Sequence, residues 1–288
     1  MSTEAPRRSR IARGTIAGVA VARAGLARAG HRLAGSPAPQ AHEAELGRIL
    51  FGALNQLKGV ALKASQLLAS EPGLLPDALR EQLARANYQA TPMNRALVHK
   101  AMRQALGPDW DDHFAEFDDQ AFAAASLGQV HRARLADGRE LAVKLQYPGI
   151  ATTVKSDMRM LRSLLGVLPI ERRLLEPLFD EIEANLRDEL DYRREAAELR
   201  WFAAALPGLR IPQPLSELSG AELLCMDALP GLHLNEWLAT GPSQAQRDAA
   251  GQRIFDAFLR MVFELGRLHA DPHPGNYLFD EEGGVALL

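Results

Sequence analysis

Between about 42 and 107, apolar positions recur at spacings of three and four, which is the period of an amphipathic helix. The clearest run consists of Leu46, Ile49, Leu50, Leu54, Leu57, Val60 and Leu62. We expect this helix to end before Pro72, a second helix to begin near Pro76, and a third to span 94–106. The segment is therefore predicted to be all-helical.

The pattern changes at about 117, where short strand-like runs replace the helical period. Strands are predicted at 123–126, 129–135 and 140–146. Asp137-Gly138, between the last two runs, is a strong hairpin signal because glycine accepts the positive φ of a tight turn. The middle of the chain is therefore predicted to contain a small sheet.

The rest of the chain alternates helices with short strands. The helices are predicted at 150–168, 172–205 and 243–268, and the strands at 211–217, 221–226, 277–279 and 285–288. We find no internal repeat in this order of elements.

The amino-acid composition excludes several classes of protein. Hydrophobic residues make up 47% and charged residues 24% of the 288 residues, as in soluble globular proteins. A net charge of −3 argues against nucleic acid as the main partner. Cys225 is the only cysteine, which excludes an intrachain disulfide framework and a cysteine-based zinc cluster. Because no uncharged apolar run reaches about 18 residues, we expect no ordinary transmembrane helix.

Charge is unevenly distributed along the chain. Residues 1–35 contain seven arginines and one acidic residue, Glu4. Two interpretations stay open for this segment: a basic arm that contacts an anionic membrane surface, or a disordered basic tail. The Pro-rich stretch at 35–39 is predicted to be a linker.

The most informative motif runs from His269 to Asn276 and reads His-Ala-Asp-Pro-His-Pro-Gly-Asn. Asp271 and Asn276 have the spacing of a kinase-type catalytic loop, in which the Asp orients the acceptor and the Asn holds a metal. A carboxylate and an amide oxygen suit Mg²⁺. The alternatives are a structural turn and a zinc site at His269 and His273, which lacks an evident third ligand.

Lys144 lies in an apolar predicted strand, between Val143 and Leu145. A buried ammonium group needs an anion, and in kinase-like folds the anions are a nucleotide phosphate and a helix glutamate. The alternative is a surface lysine whose stem packs on the strand.

Three further features of the sequence have either a functional or an ordinary structural explanation. The small residues Ala123–Ser126 lie about 20 residues before Lys144, where a kinase phosphate-binding loop would lie. Three acidic residues close together either pair with lysines or belong to a solvated acidic face; they are Glu189, Asp191 and Glu195. Lys63, near Gln66, is by itself most simply a lysine on a helix surface.

In combination and order, these motifs resemble the UbiB/AarF family of atypical kinases, which includes the mitochondrial and bacterial coenzyme Q proteins. The resemblance spans roughly 43–288. It rests on the alanine loop at 123–126, the strand lysine Lys144 with Glu195, the Glu-x-Asp motif at 189–191, the Lys-x-Gly-Gln-like motif at 63–66, and the loop at 269–276. Ser65 replaces the glycine of the Lys-x-Gly-Gln signature, which puts the close packing of this motif in doubt.

The resemblance implies an α+β, protein-kinase-like fold with an antiparallel small-lobe sheet, a helical N-terminal extension and an incomplete C-terminal lobe. The implied parts are an arm and linker at 1–40, the extension at 41–115, the small lobe with inserted helices at 116–230, and the start of the large lobe at 231–288. Family members continue into an Asp-Phe-Gly metal motif directly after Leu288, so we expect the second metal ligand to be missing from this chain.

The resemblance also assigns roles to individual residues. The implied catalytic set is Asp271, Lys144, Glu195, Lys63, Gln66, Glu189 and Asp191. The residues implied to bind ATP or ADP are Ala123, Ala124, Ala125, Ser126, Lys144 and Met226, and Asn276 is implied to bind Mg²⁺.

We therefore expect an ATP- and Mg²⁺-dependent kinase or ATPase that supports ubiquinone biosynthesis, with a lipid or quinone-precursor substrate. It would be a bacterial cytoplasmic protein peripherally associated with a membrane, and nucleic acid is not an expected partner. Two alternatives stay open: a non-catalytic nucleotide-binding regulatory module, and an aminoglycoside-phosphotransferase-like small-molecule kinase.

Overall fold

The computed structural model describes residues 15, 18–24, 26, 45, 48–49, 51–53, 63–64, 67, 77, 80–81, 92–125, 127–166, 172–271 and 273–288. Gln66 and Ser126 lie outside these residues, as do most of the basic arm at 1–40 and most of the predicted helices before 92. No helix in the described ranges has the length and apolar character needed to cross a bilayer.

Two compact units make up the chain, and each has an apolar core of its own. The first unit comprises Met1–Ala101, Asp119–Val130 and Gln146–Leu190. The second unit comprises Met102–Asp118, His131–Leu145 and Asp191–Leu288.

Four strands form one sheet in sequence order. They are β1 (Glu116–Ala125), β2 (Gly128–Arg134), β3 (Glu140–Gln146) and β4 (Leu223–Asp227). β3 has the predicted limits, and Gly138 takes a φ of 89° in the predicted turn. β1 begins well before the predicted 123, because its alternating exposed and half-buried positions fit a strand despite its acidic residues.

Helices α1 (Arg95–Leu106), α2 (Val154–Leu165) and α3 (Arg172–Glu189) follow the predicted helical periods. In the first unit, the apolar faces of α2 and α3 are buried in one core, which includes Met158, Leu161, Leu164, Phe179 and Leu186. Arg162 forms ion pairs with Glu176 and Asp180 across the same two helices. Apolar burial therefore holds this helix pair together, and the ion pairs of Arg162 add a smaller contribution.

The prediction of one helix over 172–205 is wrong. The chain forms two helices, α3 and α4 (Tyr192–Ala205), which are separated at Leu190 and Asp191. Asp191 has an extended backbone with φ −111° and ψ 92°, and its carboxylate accepts a hydrogen bond from the Arg193 backbone N–H. An Asp side chain competes in this way for backbone donors, so it ends one helix and caps the next.

The prediction of a strand at 211–217 is also wrong. Only isolated bridges form there, at Arg210 and Pro214, followed by a 3-10 turn at Ser216–Leu218. Pro212 and Pro214 lack the backbone N–H that a sheet ladder requires, which explains the difference.

The second unit continues with α5 (Leu234–Ala239), which the sequence pattern did not reveal, and α6 (Gln244–Arg260). The predicted helix to 268 ends early, in a π-helical turn at Met261–Leu265 that is closed by Gly266 at φ 60°. Strands β5 (Tyr277–Phe279) and β6 (Val285–Leu287) form the predicted antiparallel pair. These elements frame the segment that carries Asp271.

Cys225 lies in β4, opposite Val143 of β3, and is completely buried. Burial raises the pKa of its thiol to about 12, with a smaller contribution from the charge of Glu217. The thiol is therefore protonated at neutral pH and behaves as a small apolar side chain.

We expect Gly231→Ala to lower the free energy of unfolding by about 2–4 kcal/mol. Gly231 has a φ of 147°, and a Cβ atom there would lie 2.9 Å from the Cβ of Leu278 and 3.1 Å from the carbonyl oxygen of Phe279. The control is Gly251→Ala inside α6, where a Cβ meets open space, so stability should rise by about 0.5–1 kcal/mol. Urea denaturation of both variants tests the prediction, and a loss of equal size in both would contradict it.

Candidate functional site

Lys144 and Glu195 form an ion pair in the second unit. The ammonium nitrogen of Lys144 lies 2.7 Å and 2.8 Å from the two carboxylate oxygens of Glu195. The two side chains are 20% and 32% exposed, so the pair is largely withdrawn from water. Lys144 projects from β3, and Glu195 comes from the first turn of α4. The pair therefore connects the central strand to this helix.

Tyr192 supports the same ammonium group. Its ring centroid lies 4.9 Å from the Lys144 nitrogen, and the residue is only 2% exposed. Tyr192 and Glu195 are three positions apart on α4, so their side chains lie on one face of the helix. A cation over an aromatic face is favoured electrostatically. Lys144 is thus held by an anion and by an aromatic ring from a single helix.

The loop at 269–276, here called the Asp271 loop, is shaped by its own hydrogen bonds. The backbone N–H of His273 donates to the Asp271 carboxylate at 3.3 Å, and that of Gly275 donates to Nδ1 of His273 at 3.0 Å. The Asn276 side-chain amide donates to the carbonyl oxygen of Asp271 at 3.0 Å. Asp271 and Asn276 are therefore held at the same turn.

Two residues of the β5–β6 region that follows the loop interact with it. The backbone N–H of Leu288 donates to the carbonyl oxygen of Asn276 at 2.8 Å. Burial raises the pKa of Tyr277, and the negative charge of Asp271 raises it further. Asp271 is exposed, so its carboxylate faces solvent while acting on this neighbour.

Zinc binding at His269 and His273 gains no support from this geometry. The ring nitrogen Nδ1 of His273 accepts a hydrogen bond within the loop. Within the described part of the chain, no three His, Cys, Asp or Glu side chains form a group suited to a metal ion.

Lys63 and Glu189 form an ion pair in the first unit. The Lys63 nitrogen lies 3.5 Å from a Glu189 carboxylate oxygen, and the two side chains are 31% and 32% exposed. This distance is longer than that of the Lys144 pair, so the contact is electrostatic and is not a close hydrogen bond.

The third carboxylate of this acidic segment, that of Asp191, is paired with another cation. Arg193 donates two side-chain hydrogen bonds to its carboxylate, each 2.9 Å long. The hydrogen bond from the Arg193 side chain is the main cause that lowers the pKa of Asp191. The acidic segment at 189–195 is therefore not one acidic face, since each of its three carboxylates is paired with a different cation.

The described residues that the resemblance assigns to nucleotide binding lie on three strands, with Lys144 on β3. Ala123, Ala124 and Ala125 form the end of β1, where Ala124 is exposed and the other two are half-buried. Met226 lies on β4 opposite Ala142 and is half-buried.

No local sequence signal indicated the contact between Tyr192 and Lys144, since it depends on which residues of α4 face β3.

Comparisons with known proteins point to one family. The model of the ABC1 atypical kinase-like domain matches residues 85–288. The atypical kinase COQ8B, mitochondrial, of Rattus norvegicus is 35% identical over 241 residues, which are 81% of this chain and 45% of that protein. The probable protein kinase UbiB of Vibrio atlanticus is 33% identical over 248 residues, 83% of this chain and 45% of that protein. The chain thus spans less than half the length of these relatives.

A solved structure agrees with these matches. The complex of Rv3197 with erythromycin from Mycobacterium tuberculosis superposes with a TM-score of 0.59 at 31% identity. The match covers 83% of this chain and 62% of that chain. Together with the helices and the four-stranded sheet, it confirms the predicted α+β, kinase-like fold.

We expect Glu195→Gln to lower the free energy of unfolding by about 1–2 kcal/mol, because it leaves the half-buried Lys144 charge without an anion. The matched control is Glu222→Gln, at an exposed position next to β4, which should change stability by less than about 0.5 kcal/mol. Urea denaturation at neutral pH measures both. Equal effects in the two variants would show that the pair does not stabilise the fold.

Proposed function

Because the chain belongs to the ABC1 atypical kinase-like family, we propose that it binds ATP or ADP with Mg²⁺ and acts as a kinase or ATPase. The observation that carries this proposal is the Lys144–Glu195 ion pair, with its 2.7 Å contact, in the same unit as the Asp271 loop. A strand lysine, a helix glutamate and an Asp-to-Asn loop are the parts that protein kinases use for phosphoryl transfer.

Lys144 would bind nucleotide phosphates. Glu195 and the Tyr192 ring hold its ammonium group at a fixed position, so little side-chain entropy is lost when a phosphate binds. In a half-buried site the attraction between ammonium and phosphate is stronger than in bulk water. Ala123, Ala124, Ala125, Ser126 and Met226 are proposed to line the nucleotide.

The residues of the Asp271 loop suit a magnesium ion. Mg²⁺ takes few protein ligands, usually one or two carboxylates with waters and substrate phosphates, so a cluster of three acidic side chains is not required. Asn276 would hold the ion, and Asp271 would orient the phosphoryl acceptor. When bound, Mg²⁺ neutralises charge on the phosphates.

Lys63, Gln66, Glu189 and Asp191 are proposed to act in the same reaction, as the family motifs imply. The Lys63–Glu189 ion pair would orient both side chains in the first unit. Asp191 also caps α4, so it helps to set the position of the helix that carries Glu195.

We further propose that the reaction supports ubiquinone biosynthesis on a lipid or quinone-precursor substrate. The support is the similarity to proteins named UbiB and COQ8. The seven arginines within residues 1–35 would contact an anionic membrane surface in a bacterial cell, from the cytoplasmic side. Nucleic acid is not a proposed partner.

Lys144→Ala should weaken the affinity for Mg-ATP by about tenfold or more, because it removes the phosphate-binding cation. The matched control is Lys155→Ala, an exposed lysine on α2, which should leave affinity unchanged. Titration calorimetry measures both. A thermal shift offers a second readout, since ligand at about 100 times its Kd adds about 2.7 kcal/mol of stability. Equal affinities for Lys144→Ala and the unaltered chain would contradict the proposal.

Asp271→Asn separates catalysis from binding. We expect it to lower ATP turnover by about 100-fold or more while changing nucleotide affinity by less than about threefold, because Asp271 orients the acceptor. Release of inorganic phosphate is the measurement. Nucleotide binding without turnover in the unaltered chain would favour the regulatory-module alternative. Transfer of phosphate to an aminoglycoside would favour the phosphotransferase-like alternative.

A further inference from the structure

Arg267 connects the turn after α6 to the Asp271 loop. Gly266 takes a left-handed φ of 60° and ends the π-helical turn, and the backbone N–H of Arg267 then donates to the carbonyl oxygen of Met261 at 3.1 Å. Arg267 therefore lies directly after this turn and two residues before His269. Arg267 carries the first side chain between Gly266 and the Asp271 loop.

The guanidinium group of Arg267 rests on the C-terminal half of α4. Its central carbon lies 4.5 Å from a Trp201 ring centroid and 6.0 Å from the centroid of Phe202. One of its nitrogens also forms an ion pair with Glu198. A planar guanidinium can stack on a ring and bind a carboxylate at the same time, which a lysine cannot do. We call these contacts the Arg267 clamp.

A second contact follows two residues later. The His269 ring lies 6.3 Å from the Phe202 ring in an edge-to-face arrangement. The backbone N–H of His269 faces the sulfur of Met261 at 3.4 Å. The segment that leads into the Asp271 loop is thus attached to α4 at Arg267 and at His269.

Helix α4 also carries Glu195, the partner of Lys144. Glu195 and Glu198 are three positions apart, so they lie on one face of the helix. One turn of α4 therefore binds the strand lysine, and the next turn binds the arginine that precedes Asp271. All of these residues belong to the second unit.

We propose that Arg267 is a positioning residue, which holds the Asp271 loop at a fixed distance from the Lys144–Glu195 pair by means of α4. The role in phosphoryl transfer rests on the proposed function, whereas the clamp itself does not. The loss of the clamp would leave Lys144 and its partners in place and would free the loop alone.

Hydrogen–deuterium exchange of the full chain tests the clamp without any ligand. In Arg267→Gln, amide exchange in the peptide that covers 268–276 should rise about threefold or more, because a stacked and ion-paired cation is lost. Peptides that cover β3 and β4 should exchange as before. The matched control is Arg260→Gln, whose partner Glu264 lies 3.6 Å away in its own helical segment. It should leave the loop unchanged.

Two further variants separate stacking from charge. Arg267→Lys keeps the positive charge and loses the planar stack, so its exchange should lie between those of the unaltered chain and Arg267→Gln. Trp201→Leu should reproduce the effect of Arg267→Gln, and the double variant should add little, because both changes remove one contact. Unchanged loop exchange in Arg267→Gln, or an equal rise in Arg260→Gln, would overturn the proposal.

Turnover measurements then test the positioning role. In Arg267→Gln we expect the kcat for ATP hydrolysis to fall about tenfold while the Kd for nucleotide without Mg²⁺ stays within about twofold, because the Lys144 pair is intact. Faster loop exchange with unaltered kcat would overturn the positioning role. If the unaltered chain binds no nucleotide, the proposed function fails, and the exchange data still decide whether Arg267 holds the loop.

Discussion

A lysine in a buried strand requires an anion within reach, because an unpaired ammonium group withdrawn from water is costly. In this chain Lys144 sets that requirement and Glu195 meets it with two short contacts. The pair determines how α4 faces β3, since a rotation of the helix by one residue would turn Glu195 away. Much of the candidate site follows from this one orientation of α4.

Helix α4 can take that orientation because it is a separate helix. The break at Asp191 ends α3 and starts α4 with a new rotational phase. Tyr192 then fills the space beneath the Lys144 ammonium, and Glu198 and Trp201 face the segment before Asp271. A continuous helix from 172 to 205 would place the residues after Asp191 at different angles. The capping aspartate is therefore as important to the site as the charged residues that flank it.

The parts of the fold that depend on interactions between neighbouring residues could be predicted from the sequence. The Asp137-Gly138 turn and β3 depend on neighbouring residues, and the sequence pattern predicts both correctly. The break at Asp191 was missed because helical periodicity continues through it, and the strand at 211–217 failed because its prolines cannot pair. In the site, the motifs pointed to Lys144 and Glu195, but the contacts of Tyr192 and Arg267 depend on helix rotation. Glu198 and Arg267 are 69 positions apart, beyond the reach of any local pattern.

The buried thiol of Cys225 allows the opening of the sheet to be followed by chemical labelling. It is the only cysteine, it lies on β4 one position from the partner of Lys144, and its high pKa keeps it protonated. A thiol reagent reacts with the thiolate, so labelling at neutral pH requires β4 to leave the core. The rate of labelling therefore reports the opening of the strand pair that carries Lys144. The chain contains its own single-site probe for this event, without an engineered label.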